Sequence, residues 1–147
     1  MRVTFDDIQD AIEHHLKFLA GEEGGRKADL HDAELYGADL MDVNLSGADL
    51  SGADLKRSIL YATNLEGANL AGAGFKHAIL EGTNLRSANM SGASLVGANL
   101  EKADLRGANL ECAELESASL AGARYDASTR WPDGFDPRKA GAICMDD

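Results

Sequence analysis

The chain has 147 residues, 44% of them hydrophobic but only 5% aromatic, and its 25 acidic against 14 basic side chains leave a net charge of −11. That size suits one domain, and the acidic balance with no basic stripe argues against direct nucleic-acid binding. No stretch reads as a signal peptide or a membrane span, and two cysteines, Cys112 and Cys144, make no disulfide framework, so a cytoplasmic protein with free thiols is expected.

At the N-terminal end, Thr4 opens a T-x-x-D box with Asp7. Phe5, Ile8, Ile12, Leu16 and Leu19 follow at near-helical spacing, and Gly21 can close the helix. The pattern predicts an amphipathic helix over residues 5–20, laid across whatever follows, with 22–27 as a short connector. Residues 1–27 thus form one predicted segment.

From Ala28-Asp29-Leu30 to Ala123-Arg124-Tyr125 an A-x-L register returns every five residues without an insertion, giving twenty consecutive units. The large position is Leu except at Phe75, Met90 and Tyr125; the small position is Ala except at Val43, Ser58, Thr63 and Thr83. Residues two apart share one side of an extended backbone. A period of five fits neither a plain strand nor a helix, so each unit is read as a short extended piece, apolar pair inward, followed by a bend. Gly two residues after the Leu, as at Gly37, Gly47 and Gly67, supplies the bend's backbone freedom. Such bends wind the chain into coils that stack by backbone hydrogen bonds. Gly74 is expected to relieve crowding beside Phe75, and the hydroxyls of Ser58, Thr63 and Thr83 to bond the backbone.

After residue 125 the segment 126–147 holds the only Trp and both prolines, in Trp131-Pro132-Asp133-Gly134-Phe135-Asp136-Pro137. It is read as unable to continue the coil and as covering the last one, as solenoid ends require.

The runs A-D-L-S-G-A-D-L at 48–55 and N-L-E-G-A-N-L at 64–70 resemble the pentapeptide-repeat family, whose unit is A-(D/N)-L-x-x. The resemblance covers residues 28–125. It implies an all-β solenoid, a right-handed quadrilateral β-helix with four pentapeptides per coil and about five coils, carrying an N-terminal capping helix and a short C-terminal cap. The flanks resemble, less specifically, those of many bacterial members.

Some members of that family, the quinolone-resistance group, are DNA mimics that occupy the DNA site of type II topoisomerases such as DNA gyrase. Mimicry asks for a negative rod with regularly recurring charge. Here residues 1–55 carry 13 acids and 4 bases (−9), 56–110 carry 4 and 6 (+2), and 111–147 carry 8 and 4 (−4). Columns of residues twenty apart lose their acids: Asp29 and Asp49 give way to Asn69, Asn89 and Asn109. The mimic is therefore the alternative and not the leading reading.

An Ala/Leu-filled rod offers no cavity for catalysis, so no catalytic, cofactor or metal residue is named. His14 and His15 are adjacent on the helix and read as a surface pair pointing apart; His31 and His77 fall on different faces; Cys112 sits at an outward turn. Ranks of Thr that would suit an ice surface are missing from the outward positions. The informative exceptions are outward apolar residues. Ile59 and Ile79 stand where Asp or Asn is usual, Met41 and Tyr61 stack in a neighbouring column, and Lys56, Arg57, Lys76 and His77 form a basic corner beside them. These eight residues make the candidate contact patch. The function expected is a non-enzymatic rigid interaction module with a protein partner or a second copy, without nucleic acid, membrane or small-molecule substrate. Arg86 and Arg106, below Glu66 in their column, are read as a solvated face.

Overall fold

A computed structural model describes residues 3–146. Helix α1 spans Phe5–Leu19. The Asp7 N–H donates to Thr4 Oγ1 at 3.1 Å and the Thr4 N–H to Asp7 Oδ2 at 2.9 Å, completing the reciprocal box at the helix start. At the other end Gly21, at φ +70°, lets its N–H reach Phe18 O while the Glu22 N–H reaches Lys17 O, which satisfies two of the last free carbonyls. The connector then doubles back against the helix. A Cβ on Gly25 would lie 2.3 Å from the Phe18 backbone nitrogen, so only glycine fits there.

The buried side of α1 differs from the expected one. Ile12 and His15 are buried and Ile8 and Ala11 partly so, whereas Phe5, Leu16 and Leu19 stay exposed. The helix is rolled about its axis, so that its imidazole faces the first coil and part of its apolar stripe overhangs the side.

The repeats form four parallel ladders in which each residue pairs with the one twenty further on: Asp29 with Asp49, Glu34 with Asp54, Asp39 with Ile59, Asn44 with Asn64, and onward along the chain. Four pentapeptides therefore complete one turn. Each rung is held from both sides; the Asn64 N–H donates to Val43 O at 2.9 Å and Asn64 O accepts from the Leu45 N–H at 2.8 Å. Corners repeat as well. The Ala48 N–H closes on Leu45 O at 3.0 Å around Gly47, whose φ is +74°. Every position two after the large residue, from 32 to 122, has positive φ, including Asp32, Arg57, Ala62 and Cys112. Asp and Asn side chains before the Leu accept the N–H two residues on, as Asn44 Oδ1 does from Ser46 at 3.1 Å, and so fasten the corners of the units that carry them.

Inside, Leu45 to Leu110 and the Ala residues facing them have essentially no exposure, and Phe75 and Met90 fill their large positions completely. Gly74 does not relieve crowding: a Cβ there would meet nothing within 4 Å. The inward hydroxyls do bond the backbone. Ser58 donates to Leu55 O, while Thr63 and Thr83 reach across to Leu40 O and Leu60 O on the preceding coil, all at 2.6 Å.

The ladder also runs past the point where the sequence register stops. Asn109 pairs with Arg130, a spacing of twenty-one, so one extra residue is absorbed between 125 and 130. Asp126 takes up the slack by accepting from the Ser128 N–H at 3.0 Å and the Gly107 N–H at 3.2 Å. Thr129 is then buried at the small position, donating to Leu105 O at 2.8 Å, and Trp131 follows where a Leu would stand. The Trp131 ring meets Tyr125 edge-on at 5.6 Å and stacks on Phe135 at 5.1 Å, although its buried Nε1 has no hydrogen-bond partner among the described residues. Finally β1, Arg124–Tyr125, pairs in parallel with β2, Ile143–Cys144.

Candidate interaction surface

One side of the rod carries the ladder Asp39–Ile59–Ile79–Asn99–Ser119. Among the described repeat residues of the four ladders, 29 to 124, Ile59 and Ile79 are the only ones with branched apolar side chains. At these two rungs the corner loses its side-chain fastening. Asp39 Oδ1 accepts from the Met41 N–H at 3.1 Å and Asn99 Oδ1 from the Glu101 N–H at 2.9 Å, but an isoleucine has nothing to offer Tyr61 or Glu81.

The structure places the eight patch residues around this ladder. Met41 and Tyr61 follow it at one corner, each 45% exposed, and Ile79 is 39% exposed. Ile59, expected outward, is half-buried between neighbouring rungs. Lys56, Arg57, Lys76 and His77 occupy the preceding corner, all exposed, with the Arg57 N–H bonded to Lys76 O at 3.0 Å. The His77 ring lies over Gly97, where an added Cβ would come within 2.4 Å of Nδ1. Two residues missed from sequence extend the apolar strip towards α1: Tyr36, 62% exposed, at the same corner as Lys56, and Phe5, 73% exposed. Between them runs a groove of about 270 Å³ lined by Val3, Ile8 and Leu40. The signal for Tyr36 was its place twenty residues before Lys56, an outward position with an aromatic ring.

Elsewhere the polar groups are committed to structure. His15 is not a surface residue. Its Nδ1 accepts from the Ala28 N–H and its Nε2 donates to Ser46 O, both at 2.9 Å, which fixes the neutral Nε2–H tautomer and ties α1 to the first coil. Burial, reinforced by Lys27, holds its pKa below the ordinary histidine value against the opposing pull of Ser46 O. Its spacing from Ile8 and Ile12 was the clue that it faces inward. On another side Asp104 is buried and gripped bidentately by Arg106, at 2.9 and 2.7 Å, with Arg124 at 3.6 Å. Burial pushes the Asp104 carboxyl up, but the two arginines outweigh it and hold it below the usual range. Arg106 is thus a clamp on a buried acid, not part of a solvated row.

Asp29, His31 and Asp49 bring potential ligand atoms within 4.8 Å of one another. The imidazole is already engaged by Asp29 at 2.5 Å; this hydrogen bond raises the His31 pKa and lowers that of Asp29. Cys112 and Cys144 are free thiols.

The model of pentapeptide repeats matches residues 26–47, 48–86, 68–107 and 88–124. The chain belongs to the pentapeptide repeat family. Proteins of this family form right-handed quadrilateral β-helices, in keeping with the four ladders and the spacing of twenty. Among solved pentapeptide repeat proteins, Rfr23 from the cyanobacterium Cyanothece 51142 is 45% identical with a TM-score of 0.63. That match covers 63% of each chain, less than two thirds of the relative's length. The pentapeptide repeat protein alr5209 from Nostoc PCC 7120 is 36% identical over 94% of this chain and 95% of its own, with a TM-score of 0.30. QnrB1, a plasmid-mediated fluoroquinolone resistance protein, is 19% identical over 82% of this chain and 66% of its own, at a TM-score of 0.49. No curated protein sequence matches. Among the described residues no helix is long and apolar enough to cross a membrane.

Proposed function

We infer that this pentapeptide repeat protein is a non-enzymatic, rigid interaction module of about five coils. It presents the Met41–Ile59–Tyr61–Ile79 strip and its basic corner to a protein partner or to a second copy, in the cytoplasm. Helix α1 and the segment after residue 125 serve as its end caps. One observation carries the reading: two successive rungs give up the Asp/Asn fastening of the corner and place isoleucines on an outer face that Met41 and Tyr61 leave partly bare. Packing within the rod accounts for the half-buried Ile59 but not for three neighbours left exposed. The solid interior supports a role by surface alone, as is general in this family.

The basic corner defines the partner's chemistry. Lys56, Arg57 and Lys76 face an apolar strip, so a partner with hydrophobic anchors beside carboxylates is complementary. Gyrase mimicry gains no support from the charge pattern. The ladders confirm which residues stack, and none of the four keeps a carboxylate on every rung.

The double change Ile59→Asp and Ile79→Asp tests the reading. Association should weaken at least about tenfold, since an interface would gain two desolvated carboxylates. The melting temperature should fall by only a few degrees, reflecting the half-buried Ile59. Pull-down from the host and light scattering of parent and variant read the partner and the self-association separately. Identical captured proteins and identical mass would remove the patch from consideration.

A further inference from the structure

The last coil of the rod keeps a strand edge that opens onto a groove. Above the ladder 34–54–74–94–114 no further rung is laid. One coil earlier the Leu95 N–H donates to Glu114 O at 2.8 Å and the Glu114 N–H donates to Ala93 O at 2.9 Å. The equivalent outer groups, the Leu115 N–H and the Ala113 C=O, have no backbone partner among the described residues. Of the other three ladders, those of Asn109 and Arg124 are closed by Arg130 and Ile143, while the one ending at Ser119 has no further rung either, although Leu120 beneath it is buried. Over the open rung lies a groove of about 350 Å³, with Ala113, Leu115 and Glu116 on one side and residues 132–135 on the other. Leu115 is half-buried there, whereas Leu95 directly below has no exposure. Phe135 and Pro132 wall the groove without filling it.

We propose that this open rung binds a short extended peptide from a partner protein, as an added parallel strand carrying a small–polar–large triplet flanked by basic residues. The backbone pattern specifies the strand. An incoming N–H meets the Ala113 carbonyl and the same residue's C=O meets the Leu115 N–H, repeating the register of every rung beneath. The pleat then points the peptide's small and large side chains down onto Ala113 and Leu115. The flanks follow from charge: the charged residues lining the groove, Glu116 and Asp133, are both acidic, and exposed Glu114 adjoins them. This site is on a different part of the rod from the Ile59–Ile79 strip and does not depend on it.

The probe is a fluorescein-labelled Lys-Lys-Ala-Asn-Leu-Lys-Lys peptide titrated with the full chain and followed by anisotropy. Saturable binding is expected, with slowed hydrogen exchange at the Leu115 amide. Methylating the peptide's Asn nitrogen removes the donor to Ala113 while leaving every side chain, and should weaken binding about tenfold. The exposed double change Glu116→Lys and Asp133→Lys should weaken the lysine-flanked peptide by a similar factor and favour a glutamate-flanked one. The variant Ile59→Asp with Ile79→Asp should bind as the parent does, so failure here and failure at the lateral face are separable. Equal binding of methylated and unmethylated peptides would overturn the proposal, because the contact would then be greasy and unspecific. So would an absence of saturation up to the peptide's solubility. A dimeric free protein already protected at Leu115 would do the same, the edge then belonging to a second copy.

Discussion

Leu95 and Leu115 hold the same place in the pentapeptide, in the same ladder, one coil apart. Leu95 is fully enclosed and its rung is paired above and below; Leu115 is half-buried and its rung is paired only below. Nothing in the local sequence separates Ala93-Ser94-Leu95 from Ala113-Glu114-Leu115 in kind. The difference lies in what the next coil provides, which is how a one-dimensional stack distributes its stability.

Placing a charge at each site breaks the comparison most forcefully. Leu95→Asp buries a carboxylate with no partner and removes a packed side chain, so a loss of about 4 kcal/mol or complete unfolding is expected. Leu115→Asp can turn its carboxylate to water and should cost less than half as much. Urea denaturation followed by circular dichroism measures both, and equal losses would mean that the last rung is as enclosed as the middle.

The other end yields a pH-dependent version. Histidine 15 has a depressed pKa in the fold, so the unfolded chain binds the extra proton first. Its contribution is present above the unfolded value near 6.5 and is lost as pH falls below it. Protonation at Nδ1 sets two donors, that ring nitrogen and the Ala28 N–H, against each other. A loss on the order of 1–3 kcal/mol at the α1 junction follows. The exposed His31, whose pKa is raised, acts in the opposite direction: its contribution is present below the unfolded value and is lost as pH rises through the folded one. Melting curves of the parent and of His15→Gln between pH 7.5 and 5 isolate the buried group. The parent should lose more on acidification than the variant, and parallel curves would contradict the assignment.

The smallest effect sharpens the picture of the middle. Gly67 has φ +67° and open space around its missing Cβ, and Ala62 already tolerates the same conformation one unit earlier. Gly67→Ala should therefore cost only about 1 kcal/mol, the backbone term alone. A loss as large as that of Leu95→Asp would show a contact at that corner absent from the structure.

These contrasts explain what could be read from residues alone. The inward Ala/Leu pairs, the spacing of twenty and the corner-fastening role of Asp and Asn are legible because each is repeated, so one stereochemical argument serves every unit. The ends are not repeated, and there the reading slipped. The roll of α1 depends on His15 finding a donor at Ala28 and an acceptor at Ser46, partners 13 and 31 residues away. The extra rung at Arg130 depends on one residue being folded away by Asp126, which breaks the very period used to detect rungs. The patch residues were legible as departures from a polar outer surface. Their degree of exposure was not, because it is set by neighbours on other coils.

The spacing of twenty also acts as a protractor. Excising one pentapeptide from the middle of the rod would leave every remaining Leu inward but turn everything after the cut by a quarter revolution relative to α1. Excising four would restore the bearing and merely shorten the axis by one step, about 4.8 Å. Chains of this kind can therefore be retuned in two independent ways, reach in multiples of twenty residues and angle in multiples of five. The lateral strip at Ile59–Ile79 and the open rung at Leu115 could be re-aimed with respect to each other by inserting or removing whole units between them, with no change to either.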